Sequence, residues 1–221
     1  MGDIMVLLRM AFCVGLLFAA ASCNREEDNE SAYVEQKKES NVAIVPVFDR
    51  TENAGVTWNL SDEITSGLRR RLNENEKLSL TEQQKVHALT KKFVGQKDPF
   101  ATDVSWVKQS YPCCQFVVFT EVLEHEEVPT SFKNVKSSPA TLNMSVKFRI
   151  LDNRGQKAKV ILQEIVHNSH SIPKQFNKTN FQQIPWGKEN YHVTPVGVAH
   201  SNLIKELATR IEDYILLAIG E

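Results

Sequence analysis

Hydrophobic and polar positions change their period several times along this chain, and each change marks an element. Val42 to Phe48 (VAIVPVF) is almost continuously apolar, as in a short strand buried on both faces. Pro46 removes one ladder donor, which is tolerable near an edge or an irregularity. Ile64, Leu68 and Leu72 then recur at i, i+4 and i+8 and predict a helix from a Ser61 cap to about Asn75. Asp62 and Glu63 in its first turn suit the helix dipole. After a short strand at Lys77 to Leu80, Thr81 and Gln84 fit a capping box ahead of a second helix carrying Val86, Leu89 and Phe93 and ended by Gly95. His87 lies beside that stripe. A short third helix follows at Asp103 to Ser110, stopped by Pro112.

The second half reads as strands. Gln115 to Leu123 is β-branched and aromatic, and Glu124, Glu126 and Glu127 after it form an acidic, loop-like patch. From Thr141 to Leu151 the apolar Leu142, Met144, Val146, Phe148 and Ile150 alternate with polar residues, so one face meets the core and the other water. Asp152 to Gly155 makes a turn in which Gly155 is free to take positive φ, and Lys157 to His167 returns as an antiparallel partner. Asn168 to Val198 holds three prolines and no periodicity; loops of this length are usually functional or mobile. Its aromatics Phe176, Phe181, Trp186 and Tyr191 suit packing either on the same domain or on a partner. Ser201 caps a last helix with Leu203, Ile204, Leu207, Ala208, Ile211, Ile215 and Ala218 on one stripe. The order β-α-β-α-β-β-β-α implies an α+β domain over residues 41–221, a single mixed sheet with helices packed on it.

The front of the chain has a different texture. Met10 to Ala21 is apolar behind Arg9, the size of a secretory h-region and short of the roughly 20 residues that span a bilayer. Ala20-Ala21-Ser22-Cys23 resembles a lipobox. Residues 1–22 are therefore expected to be a lipoprotein signal peptide and Cys23 the lipidated residue, anchored by two or more acyl chains. Asp3 is unusual in such a signal, and initiation at Met5 would give a cleaner one. Residues 23–40 complete a lipidated N-terminus and a polar tether, with six acidic and three basic residues after Cys23 and too little apolar surface to order itself.

Composition narrows the function by exclusion. A net charge of −1 gives no basic surplus for nucleic acid, and Arg69 to Arg71 point in three directions around a helix. Cys113 and Cys114 are the cysteines left after Cys13 and Cys23. An envelope compartment permits a disulfide, but adjacent Cα atoms about 3.8 Å apart lie below the usual disulfide span of roughly 4.4–6.8 Å. That leaves a strained vicinal bridge, an intermolecular one, or one buried and one half-exposed thiol. The residues after the first strand, DRTENAGV, carry neither GxGxxG nor GxxxxGK[ST], and no GxSxG elbow is present. His167 and His170 are three apart on a strand and so face opposite sides. No metal, cofactor or catalytic residue is expected; a hydrolase using His87 or His167 would need a nucleophile or metal beside it.

Taken together, VAIVPVFDRT, LSDEITSGLRRRL, KLSLTEQQKVHAL, FVVFTEVLE and MSVKFRILDNRGQKAKV resemble the periplasmic lipoprotein domains related to the penicillin-binding-protein activators, the curli-secretion lipoprotein and the N-terminal domain of TolB. The overall texture is also similar to an uncharacterised lipoprotein of chlamydiae. The resemblance implies a non-enzymatic envelope lipoprotein, held on the periplasmic face of a membrane, with the outer membrane favoured, and binding or regulating another envelope protein. The alternative it implies is a lipid or glycolipid transport or assembly component, with an apolar cavity beneath residues 168–198.

Overall fold

The computed structural model describes residues 40–51, 55–93, 95–131, 138–176 and 182–220, all within one compact unit that begins at Lys38. The expected signal peptide at 1–22, Cys23, residues 24–39 of the expected tether and Phe181 lie outside the described residues, whereas Ser40, expected to end the tether, is buried in the first strand and pairs with Leu78. The elements are β1 (Ser40–Ile44), β2 (Phe48–Asp49), α1 (Leu60–Leu72), β3 (Leu78–Leu80), α2 (Gln83–Thr90), α3 (Ser105–Ser110), β4 (Phe116–Pro129), β5 (Ala140–Asp152), β6 (Lys159–Ile172) and α4 (Pro195–Gly220), with 3-10 turns at Lys174–Phe176 and Glu189–Val193. Six strands make one mixed sheet in the order β3-β1-β4-β5-β6, with β2 pairing β4 beside that path. The pairs among β1, β2, β3 and β4 are parallel, and those of β4 with β5 and β5 with β6 are antiparallel. This is the α+β architecture that the alternation of patterns predicts.

Two apolar layers hold it. On one face Ile64, Leu68 and Leu72 of α1 and the long stripe of α4 pack against Val42, Ile44, Phe116, Val118 and the alternating residues Leu142 to Ile150. On the other face Val86, Phe93, Val107 and Tyr111 cover Ala43, Val45, Val117, Phe119 and Leu151. The second layer stops there. Among the described residues no helix lies over the polar side of β5 from Lys147 back to Thr141, the side that its alternation predicts to be wet.

Several boundaries differ from the sequence reading for identifiable reasons. Pro46 splits the first apolar run, and the chain regains the sheet only at β2. Asn59, not Ser61, caps α1, accepting from the Asp62 N–H at 3.3 Å; Ser61 Oγ instead donates to the Val47 carbonyl. No side chain caps α2: Thr81 Oγ1 is drawn to Asn41 Oδ1 at 2.7 Å and sits 3.3 Å from Cys114 Sγ. Gly155 does not have positive φ. The acidic patch is not a loop: Glu124, Glu126 and Glu127 continue β4 to Pro129, because each pairs with a residue of β5. Similarly β6 runs past His167 to Ile172. Finally α4 starts at Pro195, six positions before Ser201. Thr194 Oγ1 accepts from the Gly197 N–H at 3.0 Å, and proline suits a first helical position, where no N–H partner is needed.

Candidate functional site

The polar chemistry of this domain gathers around one irregularity in β4. Val122 pairs Val146 and Glu124 pairs Ser145, so Leu123 is an extra residue. Such a bulge reverses which side each later residue faces. Phe119 and Glu121 point to the same side as Val117, and by simple alternation His125 would follow them outward. The bulge sends His125 inward beneath α4 instead, and sends Glu124 out to the open face.

Inward lies a closed network. Glu63 of α1 is 3% exposed and accepts from Trp58 Nε1 at 2.7 Å and from the Tyr191 hydroxyl at 2.6 Å. His200 Nδ1 of α4 lies 3.0 Å from Glu63 Oε2 and 2.7 Å from the Tyr191 oxygen. Since the carboxylate only accepts, Nδ1 carries a proton, and His200 Nε2 is the atom facing His125 Nε2 at 2.8 Å. One proton lies between the two imidazoles. Burial pushes the Glu63 carboxyl up, but the hydrogen bond and charge of His200, with those of Tyr191 and Trp58, outweigh it and hold the carboxyl below its ordinary value. Burial, reinforced by the Glu63 charge, pushes the Tyr191 hydroxyl well above its ordinary value. The cluster joins α1, β4, α4 and the turn at 189–193 through buried hydrogen bonds.

Gly197 completes that joint. A Cβ there would lie 2.1 Å from the Tyr191 carbonyl oxygen, so only glycine allows the turn to settle on the first turn of α4. Beside it opens a cleft of about 260 Å³ bordered by Glu63, Arg70, Trp186, Tyr191, His192 and Ser201 among others. Glu63, Arg70, His192 and Ser201 place polar groups on its border beside Trp186 and Ile204.

Outward, the bulge begins three rows across β4, β5 and β6. Glu124, Ser145 and His167 form the first, Glu126, Asn143 and Ser169 the second, Val128, Thr141 and Ser171 the third. Ser145 Oγ donates to Glu124 Oε2 at 2.7 Å and lies 2.9 Å from His167 Nδ1, and Ser169 Oγ donates to Asn143 Oδ1 at 2.8 Å. Ile165, 44% exposed, and Leu123, 38% exposed, stand at the inner end of these rows. A hydroxyl beside His167 is the arrangement a hydrolase would require, but its wiring differs from a catalytic triad. The carboxylate takes the serine proton instead of orienting the imidazole, and the strand N–H groups that would form an oxyanion hole are committed to the ladder.

The remaining sequence candidates are dispersed. His170 faces away from His167, being paired with Leu142 on the core side, and His87 is exposed on α2. Among the described residues no three His, Cys, Asp or Glu side chains gather as a metal site. Cys113 is exposed and Cys114 buried, both as free thiols with Sγ atoms 3.9 Å apart. Burial pushes the Cys114 thiol up to about 11. Of the loop aromatics, Tyr191 is buried in the network, Trp186 borders the cleft and Phe176 is exposed. Nothing in the sequence singled out Glu63, His125 or His200. Glu63 reads as an ordinary first-turn acid, His200 precedes the predicted helix start, and the bulge that turns His125 inward has no glycine to announce it.

Comparisons with known proteins agree with this fold. The hypothetical protein CT253 from Chlamydia trachomatis is 26% identical, covers 80% of this chain and 98% of its own, and superposes with a TM-score of 0.64. The chlamydial likeness expected from the sequence is thus found. Protein XCC0632 from Xanthomonas campestris, 7% identical over 84% of this chain and 91% of its own, shares the fold with a TM-score of 0.50. Lipoprotein GNA1162 from Neisseria meningitidis is a more distant likeness, 14% identical over 80% of this chain and 98% of its own, with a TM-score of 0.44. No curated protein matches the sequence. The model of a family of unknown function, DUF7499, matches residues 28–219, and the chain belongs to that family.

Proposed function

We propose that this protein is a non-enzymatic lipoprotein of a bacterial envelope, anchored through acylated Cys23, whose domain binds another envelope protein through the open face of β4, β5 and β6. The observation that carries the reading is the half-covered sheet. One face is covered by α1 and α4, while among the described residues no helix lies over the rows from Glu124 to Ser171, in which Glu126, His167, Ser169 and Ser171 are exposed, with Leu123 and Ile165 exposed beside them. Groups that would perform chemistry are already spent on one another, and prearranged hydroxyls and amides beside two aliphatic side chains suit a protein surface. β6 is also the sheet edge, which offers unpaired backbone groups to a partner. The lipobox-like residues 20–23 and the polar residues 24–39 after them support the anchor, which we place on the periplasmic face of the outer membrane. Of the two thiols, exposed Cys113 is the one we assign to any intermolecular disulfide. In-cell cross-linking followed by affinity purification tests the binding role. A discrete partner band that Ile165→Asp removes supports it, and a monomer alone, or a band indifferent to that change, contradicts it.

A further inference from the structure

A cavity of about 560 Å³ adjoins that face, on the side of the sheet that Glu121 and Lys147 share with Ile165, where the chain leaves β1 through β2. From β1 the chain passes by α1 to β3 on one side, then returns by α2 and α3 to β4 on the other. The parallel part of the sheet therefore has a topological switch at β1 and β4, and ligands of open sheets bind outside the carboxyl ends of strands at such a point. The cavity lies beside that point, at the carboxyl end of β2, between Arg50, the turn before Phe100 and Glu121 in the middle of β4.

Its floor holds buried charges, while Asp49, Arg50, Lys97 and Asp98 at its mouth are exposed. Glu121, 5% exposed, accepts from Arg50 Nε at 2.8 Å and lies 2.5 Å from Lys147 Nζ, which in turn sits 4.1 Å over the Phe100 ring. The Arg149 guanidinium, 7% exposed, donates to the carbonyls of Pro99 at 2.9 Å, Phe100 at 2.8 Å and Ala101 at 2.6 Å. Burying a guanidinium against neutral acceptors costs free energy, and here it clamps the cavity rim. Hydrogen-bonding capacity remains on both signs of charge. Asp49 gives one carboxylate oxygen to Thr51, and Asp98 gives one to the Phe100 N–H. Asp49, Asp98, Arg50 and Lys97 all line the same space, together with Phe48 and Phe100.

We propose that this cavity binds a zwitterionic ligand of the amino-acid class, its ammonium between Asp49 and Asp98, its carboxylate on Arg50 and Lys97, and an apolar side chain against Phe48 and Phe100. Titration of the full chain with L-phenylalanine, followed by amide NMR, tests this. Shifts are expected at Arg50 and across Gln96 to Phe100. N-acetyl-phenylalanine, which lacks the ammonium, and phenylalanine amide, which lacks the carboxylate, should each bind at least about tenfold more weakly. Arg50→Ala should weaken the parent ligand by a similar factor, as should the near-isosteric Asp98→Asn, which keeps the test decisive if the first variant disturbs the fold. Equal binding of the blocked forms, shifts elsewhere on the domain, or none at millimolar ligand would overturn the assignment.

Discussion

Two polar clusters lie on opposite sides of the same few residues of β4, and they serve opposite ends. On the inner side Glu63, Tyr191, His200 and His125 are all buried, and Glu63 accepts with both oxygens; the cluster ties three elements and a turn together. On the outer side Glu124, Ser145 and His167 use similar groups at similar distances, but among the described residues only Ser145 of this trio is buried and Glu126, Ser169 and Ser171 in the rows beyond are exposed. Residue type does not distinguish a lock from a surface here. Burial does, and burial is set by the single extra residue Leu123.

That contrast predicts a ranking. Glu63→Ala strands the hydroxyl of Tyr191, the indole N–H of Trp58 and a histidine proton in the core, and should cost about 3–5 kcal/mol, the range for removing one member of a buried charged pair; urea unfolding monitored by circular dichroism reads it. Gly197→Ala should follow at about 1–3 kcal/mol, since the turn carrying Tyr191 must move to admit a methyl group. Its diagnostic is greater quenching and solvent exposure of Trp58, which packs edge-on to Tyr191 at 5.2 Å. Acid should weaken the inner lock next. A carboxyl held below its ordinary value contributes stability above its unfolded pKa and loses it as pH falls through the folded one. Unfolding free energy should therefore drop as pH falls below about 4.5, the ordinary value for Glu63, and a Glu63→Gln variant, measured by urea titration across that range, should show a shallower decline. Outside, Ser145→Ala should cost less than any of these, about 1 kcal/mol or below. Ile165→Asp should change stability by only about 0.5 kcal/mol while removing the cross-linked partner.

Much of this fold was legible in the sequence because its elements carry strong periods. The Ile64, Leu68, Leu72 stripe, the alternation of Leu142 to Ile150 and the apolar run at Val42 each report burial directly. The errors fall where tertiary pairing overrides local texture. Glu124 to Pro129 is charged and reads as loop, but β5 supplies a partner for each residue and keeps it in the sheet. Asn168 to Ser171 is polar but likewise kept in the sheet by its β5 partners, with Ser169 and Ser171 on the open side and Asn168 and His170 on the other. The inner lock was invisible because its members are 137 residues apart in the chain, from Glu63 to His200, and because no turn residue marks the bulge that brings in His125. The open face was half legible: alternation in β5 predicts a wet side, but not that β4 and β6 extend it into rows.

Docking of a partner on the open face is tested by placing a photo-cross-linking amino acid at Ile165 and, separately, at the exposed Leu217 on α4. Irradiation of living cells should yield one discrete adduct from position 165 and none from position 217. Adducts from 217 alone, or from neither position, would contradict it.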